Sequence, residues 1–377
     1  MASPLDSLTR RAALAGAGAG ALGLTMAAVG IRRDDPPPPD PAGLRHHAAR
    51  KGLSFGIAVE QGDLRDAEAA RLIAREADML VPVVALKWGM TERAPGRNDW
   101  RVAEEIAGFA RTRRLALRGH AAFWYRNLPK WIEPQLAGAD PRPLLLRRTH
   151  DCVRQFRGRI TEWDVLNEVI EPKDGLPGGL RRAPFGRAVD PGLFADCFHT
   201  AHAADPAAVL FYNDYAIETD TPAAEAKRRA VLDLLVAMKK RGAPVGGLGI
   251  QSHLMIGQPF DEGRFAAFLR EVAALGLVIR LTELDVNDKF SRGTPARRDA
   301  VAADEVRRFL DVALHEPAPR GVLVWGVRPR DSWLQTTDWT RRADGSAQRP
   351  LPFADDLSRT PMWTAIARAF DGAPARG

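Results

Sequence analysis

From residue 53 onward, short apolar runs alternate with longer stretches whose apolar residues recur at helical spacing. Eight runs have the length and β-branched content of strands: 53–59, 79–84, 115–120, 160–167, 209–214, 247–253, 278–284 and 321–327. Most are apolar almost throughout, as strands covered on both faces must be. Between them, stretches such as 63–77, 223–241, 264–275 and 299–314 are long enough to cross back over a sheet as helices. Strand and helix alternating eight times predicts an α/β fold, a single-domain (β/α)8 TIM barrel. The polar exceptions gather where the expected strands end: His120, Asn167 with Glu168, Asn213 with Asp214, Gln251, His253 and Glu283. That is the face on which such barrels build their sites.

Composition narrows the class. A chain of 377 residues with 45% hydrophobic and 27% charged residues can bury a large core, and order is expected for most of it. Net charge is +7, but only 8 of the 54 basic residues are lysine, which marks a preference for arginine over the whole chain rather than a basic patch. No nucleic-acid module accompanies the charge, so no nucleic-acid partner is expected. Cys152 and Cys197 are too few for a disulfide framework and lack zinc spacing; inert thiols in outer helices are expected.

The first 31 residues differ. Thr9-Arg10-Arg11-Ala12-Ala13-Leu14 precedes an uncharged Gly/Ala-rich run to Val29, and the segment 1–31 resembles a twin-arginine-type export signal. That resemblance implies the twin-arginine export machinery as a partner and a periplasmic or secreted location. The run is too weakly apolar for a stable membrane span, which needs about 20 strongly apolar residues. A stiff linker at 32–43 contains Asp34-Asp35-Pro36-Pro37-Pro38-Pro39-Asp40-Pro41, and the catalytic domain is expected over 44–377, as a monomer.

Two glutamates 115 residues apart carry the chemistry. Trp163-Asp164-Val165-Leu166-Asn167-Glu168 and Thr282-Glu283-Leu284-Asp285 each close an apolar run and resemble, in order and spacing, the catalytic motifs of family 10 glycoside hydrolases, the endo-β-1,4-xylanases. Further matches are Lys87-Trp88, Arg118-Gly119-His120, Tyr212-Asn213-Asp214-Tyr215, Gly249-Ile250-Gln251-Ser252-His253 and the stretch from Val324-Trp325 to Ser332-Trp333. The resemblance implies a retaining glycosidase with Glu168 as acid/base and Glu283 as nucleophile, a polysaccharide substrate, and neither cofactor nor metal. It also implies sugar contacts from Lys87, His120, Trp124, Asn167, Tyr215, Gln251, His253, Trp325 and Trp333. Asp285 and His253 are expected to hold Glu283 ionised, because a histidine gripped by an aspartate can hydrogen-bond the nucleophile.

The chain departs from that family where substrate is recognised. Val83 and Val84 replace a Glu-Asn pair ahead of Lys87, and Tyr125-Arg126-Asn127 replaces His-Ser-Gln after Trp124. Arg126, Arg328 and Arg330 lie where a uronic-acid carboxylate could be paired by charge-assisted hydrogen bonds. Xylan is the favoured substrate; another β-glycan or an acidic exopolysaccharide is the nearest alternative, and a non-catalytic carbohydrate-binding barrel is the alternative of another class.

Overall fold

The computed structural model describes residues 42–136, 140–185 and 189–376. The proposed export segment and all of the linker but Ala42 and Gly43 lie outside them. Eight parallel strands close on themselves: β1 Ser54–Val59, β2 Met79–Pro82, β3 Ala116–Trp124, β4 Glu162–Asn167, β5 Val209–Asp214, β6 Gly247–Ile250, β7 Val278–Asn287 and β8 Pro319–Val324. Each pairs with its sequence neighbours, and β8 pairs with both β7 and β1, so the sheet has no open edge. The expected (β/α)8 barrel is therefore the fold.

Alternation along the strands separates two apolar sets. The larger joins the outer faces, including Leu117, Trp163, Val165 and Leu281, to the surrounding helices. Each fully buried Leu, Ile or Phe there contributes about 1.5–3 kcal/mol. The smaller set, Ala58, Met79, Val81, Leu323 and Trp325, lines the inside. Gly119 shows how tight the outer layer is: a Cβ there would lie 2.2 Å from the Trp163 ring. The interior also holds a buried charge chain that the hydrophobic pattern does not announce. Arg280 and Arg118 both donate to Glu162, Arg118 also donates to Asp164, and the Arg118 guanidinium covers the Phe211 ring at 4.4 Å. Such burial is tolerated only because every charge meets an opposite one.

The element bounds follow the sequence pattern with two informative exceptions. The run 247–253 divides into β6 and a short strand His253–Met255 that pairs with β7, because Ser252 takes a left-handed backbone (φ 64°) and turns its hydroxyl back to the Ile250 carbonyl. The helix expected over 63–77 divides at Asp66, whose carboxylate caps the helix Ala67–Glu76. Helices Pro222–Lys240, Glu262–Ala274 and Pro295–His315 each start one to four residues ahead of the expected positions, behind a Thr or Asp side-chain cap. Cys152 and Cys197 are buried and unbridged in the packed helices Arg142–Gln155 and Pro191–Ala204, and burial pushes the Cys197 thiol up to about 12. Among the described residues no helix is long and apolar enough to cross a membrane.

Candidate active site

The two glutamates emerge at the barrel mouth from β4 and β7. Glu168 directly follows β4 and has a left-handed backbone (φ 57°), a conformation that costs a residue with a side chain about 1–3 kcal/mol. Two bonds hold it there: its amide donates to the Asn213 carbonyl at 2.9 Å, and Arg181 Nε donates to its own carbonyl at 2.5 Å. The turned backbone brings the carboxylate to the mouth, where Oε1 accepts from Asn167 Nδ2 at 3.1 Å and Gln251 Nε2 at 3.0 Å.

Asn213, at the end of β5, joins the two carboxylates. Its Nδ2 donates to Asn167 Oδ1 and to Glu283 Oε1, each at 2.8 Å. Thr282 donates to Asn213 Oδ1 at 2.7 Å, which fixes the amide with its nitrogen toward Glu283. Only glycine fits beside it, since a Cβ at Gly249 would lie 2.2 Å from that oxygen. An unbroken chain of hydrogen bonds thus runs Glu283, Asn213, Asn167, Glu168.

Glu283 is buried, and its other partners decide its charge. His253 Nε2 lies 3.3 Å from Oε2, and His253 Nδ1 lies 2.8 Å from Asp285 Oδ1. Burial opposes charge on His253, but Asp285 and Glu283 outweigh it and hold its pKa well above the ordinary imidazole value. A ring facing a carboxylate from each nitrogen donates from both as imidazolium. Burial likewise pushes the Glu283 carboxyl up, yet His120, the His253 hydrogen bond and Lys87 together bring it below the usual range. Glu283 is therefore an anion held ready at neutral pH.

Nearly all the expected sugar-contact residues converge here. Lys87 is half-buried with its ammonium 4.3 Å above the Trp124 ring; desolvation lowers its pKa, against the attraction of Glu283, Glu168 and Glu60. His120 Nδ1 donates to Asp164 Oδ2 at 3.0 Å and approaches Glu283 to 4.0 Å, so the interior charge chain ends at the nucleophile. Trp325 meets the edges of His120 and His253, and Trp333 Nε1 donates to Asp285 Oδ2 at 2.8 Å. Tyr215 stands on the Glu168 side: its hydroxyl accepts from Arg181 at 2.7 Å and donates to Glu171 at 3.0 Å, and Lys227 lies 3.6 Å from its ring centre.

Sequence reasoning missed Asn213 as a site residue, although its place at the end of the expected strand 209–214 was a signal. It also missed Arg181, which nothing separates from the arginine-rich background until its bonds are seen. Of the three arginines considered for a uronic acid, Arg328 is committed elsewhere. It is buried and donates to Asp66 Oδ2 at 2.8 Å and to the Asp355 carbonyl at 3.3 Å, bracing the loop after β8. Arg126 lies over the Tyr125 ring at 5.4 Å, and Arg330 is exposed beside Asp331. Val83, one of the departures from the resembled motif, packs against the interior cluster that includes Trp325.

Comparison with known proteins gives the family. A model of the family described as Glycosyl hydrolase family 10 matches residues 43–369. Endo-1,4-beta-xylanase 5 of Pyricularia oryzae is 31% identical over 340 residues, 88% of this chain and 80% of its own. Endo-1,4-beta-xylanase 1 of Humicola insolens is 31% identical over 343 residues, 87% of this chain and 74% of its own. Among solved structures, native xylanase 10B from Thermotoga maritima aligns with a TM-score of 0.76 at 26% identity, over 88% of this chain and 98% of that one.

Proposed function

The chain belongs to glycosyl hydrolase family 10, and we propose from that membership that it is a retaining, endo-acting hydrolase of β-1,4-xylan with Glu283 as nucleophile and Glu168 as acid/base. The observation that carries these roles is the hydrogen-bonded chain that links two carboxylates in unlike surroundings. Glu283 is gripped by a cationic His253, whereas the Glu168 carboxylate accepts its hydrogen bonds from the neutral amides of Asn167 and Gln251. Glu283 attacks the anomeric carbon while Glu168 gives its proton to the departing glycosidic oxygen, which leaves a covalent glycosyl ester. Glu168 then takes a proton from water, the water oxygen attacks the same carbon, and the ester bond to Glu283 breaks.

The other side chains position the sugar. Trp325 and Trp333 offer flat faces to sugar C–H groups, Trp124 with Lys87 above it supplies a charged aromatic corner, and Gln251, His120 and Asn167 supply hydrogen-bonding groups. Two carboxylates wired in this way have no use in a barrel that only binds. The reading is tested by release of reducing sugar from xylan with inverted and retained products resolved. Glu283→Ala should abolish turnover on every substrate. Glu168→Ala should lose about 10²–10⁴-fold on xylan, retain glycosylation by aryl glycosides with good leaving groups, and be partly rescued by azide. Near-parental activity in Glu283→Ala would sink the assignment.

The protein is further proposed to be a monomer exported by the twin-arginine route to the periplasm or beyond. What supports export is Arg10-Arg11 immediately ahead of the weakly apolar run to Val29.

A further inference from the structure

Beyond Trp333 the rim of the mouth carries two aromatic rings that packing does not explain. Trp339 is 56% and Phe290 64% exposed, and among the described residues no other Phe, Trp or Tyr is exposed. Trp339 lies on the short turn Asp338–Thr340 in the long connection after β8, and Phe290 in the loop after β7, the strand that bears Glu283. The Trp339 and Trp333 ring centres are 5.7 Å apart, and Trp333 is 5.1 Å from His253, the partner of Glu283. A continuous file of rings therefore leads from the nucleophile's partner to solvent.

The backbone under these rings is fastened by polar groups, most of them buried. Lys289 Nζ donates to the Trp339 carbonyl at 2.5 Å and lies 5.6 Å from the Phe290 ring, so one ammonium ties the two loops together. The Thr340 hydroxyl, fully buried, donates to the Leu334 carbonyl at 2.8 Å. Gln348, also buried, accepts from the Asp288 amide at 2.8 Å and donates to Asn287 Oδ1 at 3.0 Å and to the Thr340 carbonyl. Arg298 and Arg342 close on Asp288 from two sides. A loop anchored this firmly presents its indole to water by construction, and exposing so much apolar surface is unfavourable unless something covers it.

We propose that Trp339, with Phe290 across Lys289, is a stacking platform for a sugar of the same β-1,4-linked glycan, beyond the sugars gripped at the catalytic centre. The occupant follows from continuity: a chain seated at Trp333 and leaving the mouth on this side passes over the next exposed ring. A sugar's C–H face suits a fixed indole, and Lys289 offers its stem and charge to the hydroxyls. The proposal rests on the hydrolase reading above and adds a requirement for chain length to it.

The test compares kcat/KM on soluble polymeric xylan and on an aryl β-xylobioside, with the full chain as parent. Trp339→Ala should lower the value on xylan about three- to tenfold, mainly through KM, and leave the aryl substrate within about twofold. Trp339→Phe should recover most of the loss, and Phe290→Ala should show a smaller one. The platform is overturned if Trp339→Ala matches the parent on xylan. It is equally overturned if both substrates fall in parallel, since the ring would then only support Trp333, or if the variant abolishes a concentration-dependent dimer instead. A parent inactive on both substrates would fail the hydrolase reading itself; retardation in xylan-containing gels, lost in Trp339→Ala, then judges the platform alone.

Discussion

Three side chains in line, Asp285, His253 and Glu283, set the ionisation of the barrel mouth. Asp285→Asn removes the anion that keeps His253 protonated. The imidazolium then releases its proton at lower pH, Glu283 loses its charged partner, and its pKa moves back up toward the ordinary carboxyl value. The acidic limb of kcat/KM should shift to higher pH. Because one charge-assisted hydrogen bond contributes about 1.5–3 kcal/mol, the plateau should also fall roughly ten- to a hundredfold. Stability carries the same groups with opposite signs. Glu283, depressed in the fold, stabilises above the ordinary carboxyl pKa and stops doing so as pH falls through its folded value. His253, raised in the fold, stabilises below the ordinary imidazole pKa and stops doing so as pH rises through its folded value. An acidic limb unmoved in Asp285→Asn would detach this triad from the nucleophile's charge.

Among the elements, the short helix Gln61–Arg65 is closed at its start by a reciprocal cap: the Glu60 carboxylate receives the Asp63 amide, and Asp63 Oδ2 receives the Glu60 amide at 2.8 Å. The cap costs something, because burial and the neighbouring Asp63 push Glu60 from 4.5 up to about 7, against the pull of Lys87. Between those pH values the unfolded chain has released a proton that the fold retains, so stability declines across that window and is not regained above it. Glu60→Gln keeps an oxygen for the Asp63 amide and has no charge to bury. Its Tm should match the parent near pH 4 and exceed it by a few degrees near pH 8. A Tm difference independent of pH would show that Glu60 does not titrate in this window. The neighbouring helix Ala67–Glu76 is tied through its cap Asp66 to Arg328, so the connection bearing Trp333 and Trp339 is braced against the start of the barrel.

For the molecule as a whole, the closed sheet places its charged interior, Arg280, Glu162, Arg118 and Asp164, in series with His120 beneath the nucleophile. Such a core forms only when strands distant in sequence have closed around it. That accords with the proposed route of export, which carries folded proteins. Replacing Arg10 and Arg11 by lysine should leave the full-length protein in the cytoplasm while barely changing its activity there. Cell fractionation decides the matter, and undiminished periplasmic or secreted protein in the lysine variant would refute the route.

The sequence by itself determined the barrel and its two glutamates, because both are written in local pattern. Strands covered on both faces must be apolar for most of their length, and a polar residue at the end of such a run, as in Asn167-Glu168 or Thr282-Glu283, has only the mouth to face. Sequence could not tell that Asn213 reaches Glu283 across 70 residues and so joins the carboxylates, that Arg181 grips the Glu168 carbonyl, or that Arg328 is taken by Asp66 at a separation of 262. Nor could it foresee the break of the sixth strand at Ser252, which sets His253 beside Asp285. Each of these depends on which groups meet across the closed barrel, and an arginine or asparagine has no pattern of its own that names its partner. Trp339 is the same case from the other side: a tryptophan in the sequence is core by default, and only the fold leaves this one facing water beside the catalytic centre.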